Sequence, residues 1–124
     1  MAENTAKKFI DALGKLEADR DLETIVSLFS DDCKIGNVVT EDKDISVRDF
    51  WTSYRKSFDK VQSTFHNEIF TDKATALEWK TSGTSSEGHD FEYEGVSILE
   101  VDTDKITRFH AYFNPHKLGR QIVD

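Results

Sequence analysis

The sequence predicts an α+β fold in which helices come early and antiparallel strands come late. Three observations predict it. Segments reaching as far as Phe58 carry apolar residues at helical spacing. Four longer segments after it alternate with the period of two expected of strands. Short turn-forming breaks, Thr71-Asp72-Lys73 and Asp102-Thr103-Asp104, separate those strands as hairpins require. The chain has 124 residues, and 1–124 is read as a single domain with no internal repeat or linker.

The elements follow in order. Ala6, Phe9, Ile10, Leu13 and Leu16 lie on one face of a first helix. Leu22, Ile25, Val26 and Phe29 repeat the pattern after a break at Ala18–Arg20, and Asp21 is placed to cap this second helix. A short strand is expected over Cys33–Val39. Val47, Phe50, Trp51, Tyr54 and Phe58 form a third helical stripe, opened by Ser46 and Asp49 in the spacing of a capping box. Strands are then expected over Val61–Phe70, Ala74–Ser85, Phe91–Val101 and Lys105–Phe113. Phe65 and Ile69 share one face of the first, opposite His66 and Glu68. Phe109, Ala111 and Phe113 share one face of the last, opposite Arg108, His110 and Tyr112. Ser82–Asp90, rich in Gly and Ser, is read as the longest loop among the strands, and Pro115 is expected to end the last strand.

Composition narrows the function. The formal net charge is −8, and no cluster of Lys and Arg offers the counterion release that nucleic-acid binding needs. No apolar run approaches the length of about 20 residues that spans a bilayer. The N-terminus lacks the apolar stretch of a signal peptide, so a cytoplasmic location is expected. Cys33 is the only cysteine, which excludes an internal disulfide; with no His or Cys at a supporting spacing it reads as a small packing residue.

Three local signatures carry a resemblance that spans nearly the whole chain. Phe9-Ile10-Asp11-Ala12-Leu13, followed by the run from Asp21-Leu22-Glu23 to Phe29-Ser30-Asp31-Asp32, is similar to the opening helix pair of the nuclear transport factor two-like superfamily. Ala76-Leu77-Glu78-Trp79 resembles one of its middle strands, and Lys105 to Pro115 its last strand. The superfamily includes SnoaL-like polyketide cyclases, ketosteroid isomerases and limonene epoxide hydrolases. The resemblance implies a cone-shaped α+β barrel, with three N-terminal helices packed on a curved, mostly antiparallel sheet around one conical pocket.

Fold alone does not give function, so the sites are compared position by position. The isomerase pattern needs a carboxylate base, a Tyr and a neutral Asp; the resemblance puts these at Asn37, Phe9 and Ser97, where none can serve. The epoxide hydrolase pattern puts its Arg at Trp79, its two Asp at Thr81 and Ala111, and its Tyr at Ile35. Only its Asn is kept, as Asn37. The strand positions assigned to the pocket hold no Asp or Glu. What remains is a wall of Asn37, Tyr54, Trp79, Thr81 and Ser97 among Phe9, Phe65, Phe109, Ala111 and Phe113. Such a wall suits a small hydrophobic molecule oriented by a few polar groups. For Asn37, ligand contact and a purely local role stand side by side. Ser97 and Thr81 read first as hydroxyls satisfied locally.

His66, His110 and Glu68 are expected on the polar sheet face, without the spacing of a metal site. His89 and His116 read as exposed. No metal and no cofactor are expected. The polar face, with Glu78, Lys80, Arg108 and Tyr112, is where the resemblance implies a homodimer. The leading expectation is a SnoaL-like protein that binds a small hydrophobic molecule without the family's usual catalytic carboxylates. Two alternatives stay open. One is an enzyme of isomerase, cyclase or hydrolase type, with a base at Asp11, Asp32, Glu92 or Glu94; the other is a dimeric interaction domain with a filled core.

Overall fold

The computed structural model describes residues 2–40 and 44–122. The element order is α1 (Ala2–Asp19), α2 (Leu22–Val26), β1 (Phe29–Asn37), α3 (Val47–Lys56), β2 (Phe58–Phe70), β3 (Ala74–Ser85), β4 (Asp90–Asp102), β5 (Lys105–Phe113) and α4 (Pro115–Ile122). The strands form one five-stranded sheet in the order β1-β5-β4-β3-β2. β1 runs parallel to β5 and every other pairing is antiparallel. The sheet curves without closing, and the N-terminal helices cover its inner face to complete a cone.

α1 buries Ala6, Phe9, Leu13 and Leu16, as the stripe predicts, while Ile10 is only partly buried. The helix ends at Arg20, whose φ of 60° turns the chain out. Arg20 N–H and Asp21 N–H close on the carbonyls of Leu16 and Lys15. Asp21 caps α2 by accepting from Thr24 N–H at 3.2 Å. Ser46 caps α3 by accepting from Asp49 N–H at 3.1 Å.

Four expectations are corrected. Phe29 opens β1 instead of closing α2, because Leu28 O already accepts from Ile106 N–H in the sheet. Phe58 likewise opens β2 instead of closing α3. Here the buried Arg55 decides the geometry: its guanidinium donates to Leu16 O, Phe58 O and Asp59 O, tying the end of α1 to the α3–β2 junction. Pro115 does end β5, but it also starts a fourth helix. Asn114 is the cap, accepting from the N–H groups of His116 and Lys117, and Pro115 takes the first helical position, where its missing N–H costs nothing. Gln121 then holds α4 on β4 by bonding both the N–H and the C=O of Glu92.

The fourth correction concerns faces. A bulge lies between Phe65 and Asn67, which pair with Trp79 and Glu78. One extra residue on β2 swaps every later side chain to the other face. Glu68 therefore stands opposite Leu77, on the side of the helices, and Ile69 stands opposite Ala76 on the outer side, 63% exposed. The outer face is thus less polar than alternation predicts: Ile69, Ala76 and Ile98 form one cross-strand row leading to His110.

Candidate functional site

The inner face of the sheet presents side chains to the cone in successive cross-strand rows. Ser63, Thr81 and Tyr93 form one row across β2, β3 and β4. Phe65, Trp79, Gly95 and Phe113 form the next. Leu77, Ser97, Ala111 and Asn37 form a third. Between these rows and the helices lies a cavity of about 370 Å³. Phe9 and Leu13 of α1 and Phe50, Trp51 and Tyr54 of α3 close its far side. Its wall includes Val39, which is 61% exposed, so the cavity reaches the surface between the β1–α3 connection and Leu118 of α4.

Aromatic rings make most of the wall. Phe9 packs on Phe109 at 5.4 Å and on Trp51 at 5.8 Å between centroids. Trp79 meets Tyr93 edge to face at 5.3 Å, and Tyr93 meets Phe113 at the same distance. The Trp79 indole sits over Gly95: a Cβ there would run into Tyr112 O and the indole itself, so the absence of a side chain creates the seat.

Asn37, Tyr54, Trp79, Thr81, Ser97, Phe109, Ala111 and Phe113 all border this cavity. Their polar atoms are engaged to different degrees. Asn37 Oδ1 accepts from Val39 N–H and Thr40 N–H, folding the turn after β1. Its side-chain N–H groups have no partner among the described residues. Ser97 Oγ accepts from Trp79 Nε1 at 2.9 Å. Tyr93, buried in the wall, has no hydrogen-bond partner for its hydroxyl among the described residues. Trp51, only 3% exposed, likewise keeps an unpartnered indole N–H.

The residue that sequence reasoning missed is Glu17. It is 6% exposed on the inner side of α1, and three donors meet it. Tyr54 O–H donates at 2.8 Å, Ser63 N–H at 2.9 Å and Ser63 O–H at 2.6 Å. Ser63 Oγ lies 2.7 Å from Thr81 Oγ1. With Glu17 ionised, Ser63 gives its one hydroxyl proton to the carboxylate, and Thr81 is then the donor in that last pair. Thr81 Oγ1 then keeps its acceptor capacity, on a residue that borders the cavity. Burial pushes the Glu17 carboxyl above its ordinary value, against the opposing pull of the bonds from Ser63 and Tyr54 and of the Arg55 charge. Burial also raises the Tyr54 and Tyr93 hydroxyls, and the nearby Glu17 charge adds to both shifts.

A raised carboxyl makes the folded state hold a proton more tightly than the unfolded one. The favourable contribution is complete below the unfolded value of 4.5 and is lost as pH rises through the higher folded value. Denaturant unfolding of the wild type and of Glu17→Gln across this window should therefore show the wild type losing stability relative to the variant as pH rises. A constant difference would mean that Glu17 titrates normally.

The bases suggested by sequence lie elsewhere. Asp11, Asp32, Glu92 and Glu94 are exposed and none borders the cavity. Cys33 is half-buried against the core, and burial pushes its thiol up to about 11, which suits a packing residue. No histidine borders the cavity. His116 is exposed as expected, but His89 is partly buried, because Ser85 and His89 bond each other across a tight turn. Among the described residues no group of three His, Cys, Asp or Glu side chains could hold a metal ion, and no helix is long and apolar enough to cross a membrane.

Residues 6–109 match the family model described as the SnoaL-like domain, and the chain belongs to that family. Solved structures of similar fold are numerous. TerC, co-crystallised with polyporic acid, superposes with a TM-score of 0.80 at 13% identity, covering 97% of this chain and 96% of its own. A putative isomerase from Rhodopseudomonas palustris gives 0.78 at 14%, covering 98% and 97%. An epoxide hydrolase of M. tuberculosis, described as LEH-like, gives 0.73 at 17%, covering 96% and 90%. At these identities the likeness is one of fold. No curated protein matches the sequence.

Proposed function

We propose that this chain binds a small, largely apolar molecule inside the cone. The observation that carries the reading is the cavity of about 370 Å³, walled mostly by aromatic rings such as Phe9, Trp79, Tyr93 and Phe109 with a few polar side chains, Asn37, Thr81 and Ser97, among them. The volume lies in the range of small-molecule sites and argues against the filled core of a pure interaction domain.

The test uses the two tryptophans of the chain, Trp51 and Trp79, both in the wall. Dinitroanisole, an apolar aromatic quencher, should extinguish their fluorescence saturably. Ala111→Phe puts a ring into the space that the probe would occupy and should weaken binding at least tenfold. Equal binding by both proteins would place the probe elsewhere.

We further propose pairing of two copies through the outer sheet face. Ile69 at 63% and Tyr112 at 42% exposed give that face apolar area beside its charges. Native mass spectrometry reports both proposals together, as a dimer mass and as any co-purified ligand. A monomer at all micromolar concentrations would end the pairing proposal.

A further inference from the structure

Glu17, Ser63 and Thr81 form a continuous hydrogen-bonded chain from a buried carboxylate to the cavity wall, at 2.6 Å and 2.7 Å. From this geometry we infer that the chain is a proton relay, and that the cavity takes a small aromatic molecule bearing an acidic hydroxyl, a phenol or an enol. This inference rests on the binding reading above and adds to it the chemistry of the ligand.

With Glu17 ionised, counting protons gives the polarity of the relay. Ser63 O–H points to Glu17 and Thr81 O–H points to Ser63, so Thr81 offers an acceptor, not a donor, to the cavity. An apolar ligand leaves that acceptor unused. A hydroxyl ligand donates to it and completes a row of three hydrogen bonds running toward the carboxylate. One concerted shift then moves charge without moving heavy atoms. The ligand O–H bond breaks as its proton passes to Thr81 Oγ1. The former Thr81 proton passes to Ser63 Oγ, and the former Ser63 proton forms a new O–H bond at Glu17 Oε2. The negative charge that began on Glu17 ends on the ligand oxygen, and every hydrogen bond survives with its direction reversed.

The surroundings suit both ends. The carboxylate is faced by Tyr54 and Arg55 from α3 and by Ser63 from β2, with Tyr93 of β4 close enough to sense its charge. Tyr93 pairs with Thr81 across the sheet and borders the cavity, and its hydroxyl has no partner among the described residues. Its O–H is thus a second polar group on the same wall. Burial of Glu17 narrows the gap between its acidity and that of a phenol, which a relay needs.

Dinitrophenol and its methyl ether, dinitroanisole, make the test, because they differ in the hydroxyl alone. Dinitrophenol is already ionised in neutral solution. Its anion and the Glu17 carboxylate would put two charges on one relay, so binding should draw in close to one proton per site. Calorimetry in buffers of different protonation enthalpy counts that proton. Affinity for the phenol should fall about tenfold per pH unit over the range of uptake, while affinity for the ether stays flat. In Glu17→Gln the uptake should vanish. Thr81→Val leaves the Glu17 contacts with Ser63 and Tyr54 in place, so it serves if the first variant folds poorly. It should erase any preference for phenol over ether at the pH where Glu17 is protonated, which in the wild type should be about tenfold or more.

Uptake that persists in Glu17→Gln, or a wild type that binds the phenol without taking up a proton, overturns the relay. If the ether binds and the phenol does not, the relay fails while the binding proposal stands. If neither binds, both fail.

Discussion

Replacing Trp79 by alanine is expected to lower the unfolding free energy by about 3–5 kcal/mol. Its indole is 7% exposed, packs edge to face on Tyr93, and rests over Gly95 on the neighbouring strand. Its N–H is also held, by Ser97 Oγ. The truncation removes the ring from the middle of the inner face and enlarges a space that is already open, so packing is lost on both sides. Collapse cannot compensate, because the flanking residues are anchored in paired strands. Denaturant unfolding with unchanged slope is the measurement. A shift under 1 kcal/mol would mean that the cavity tolerates enlargement at this position and that Trp79 matters to the ligand more than to the fold.

Glu17→Ala should cost about 2–4 kcal/mol, a large effect for the loss of one acidic residue. Ser63 explains why. β2 is an edge strand, and Glu17 Oε1 meets the Ser63 N–H on the side where no further strand exists to accept it. Its other oxygen satisfies the Tyr54 hydroxyl, deep between α1 and α3. Truncation leaves both donors without an acceptor in an enclosed place. Glu17→Gln keeps one carbonyl oxygen and should lose roughly half as much. Chemical denaturation of the three proteins at one pH decides the matter. Should the alanine variant fall within about 0.5 kcal/mol of the parent, as exposed sites do, water must reach the carboxylate and Glu17 would be a surface residue in effect.

Much of the architecture was legible because period and punctuation agree. β3 and β5 start and stop at the residues where alternation starts and stops, and Asp21 and Ser46 cap the helices that they precede. The failures share a cause: a helical stripe does not say where the helix ends. Phe29 and Phe58 continue the spacing of their helices, yet each is the first residue of a strand, since pairing with the sheet overrides local pattern. The bulge in β2 has no sequence mark, so plain alternation puts Glu68 and Ile69 on each other's faces. α4 did leave a signal. Asn-Pro is a cap followed by a first helical residue as well as the end of a strand.

The site divides in the same way. Trp79, Thr81, Ser97, Phe109, Ala111 and Phe113 border the cavity because inward-facing strand positions are a matter of parity, and Tyr54 borders it from the apolar stripe of α3. Alternation along the strands says nothing of Glu17, which reaches the site from α1. The helix carried the clue: Phe9, Leu13 and Glu17 are spaced by four, so the acid continues the buried stripe one turn further. A charged residue on an apolar stripe is the observation worth pursuing, since burial of such a group requires partners.

The clamp between Gln121 and Glu92 has a consequence for solubility. β5 begins to pair with β4 only at Gly95, so the backbone of β4 around Glu92 would otherwise be an open border with N–H and C=O groups facing outward. Such a border is a template on which a strand from another molecule can add. The primary amide of Gln121 imitates one peptide unit and occupies both groups at once. The short C-terminal helix therefore works as a plug against strand capture at this border.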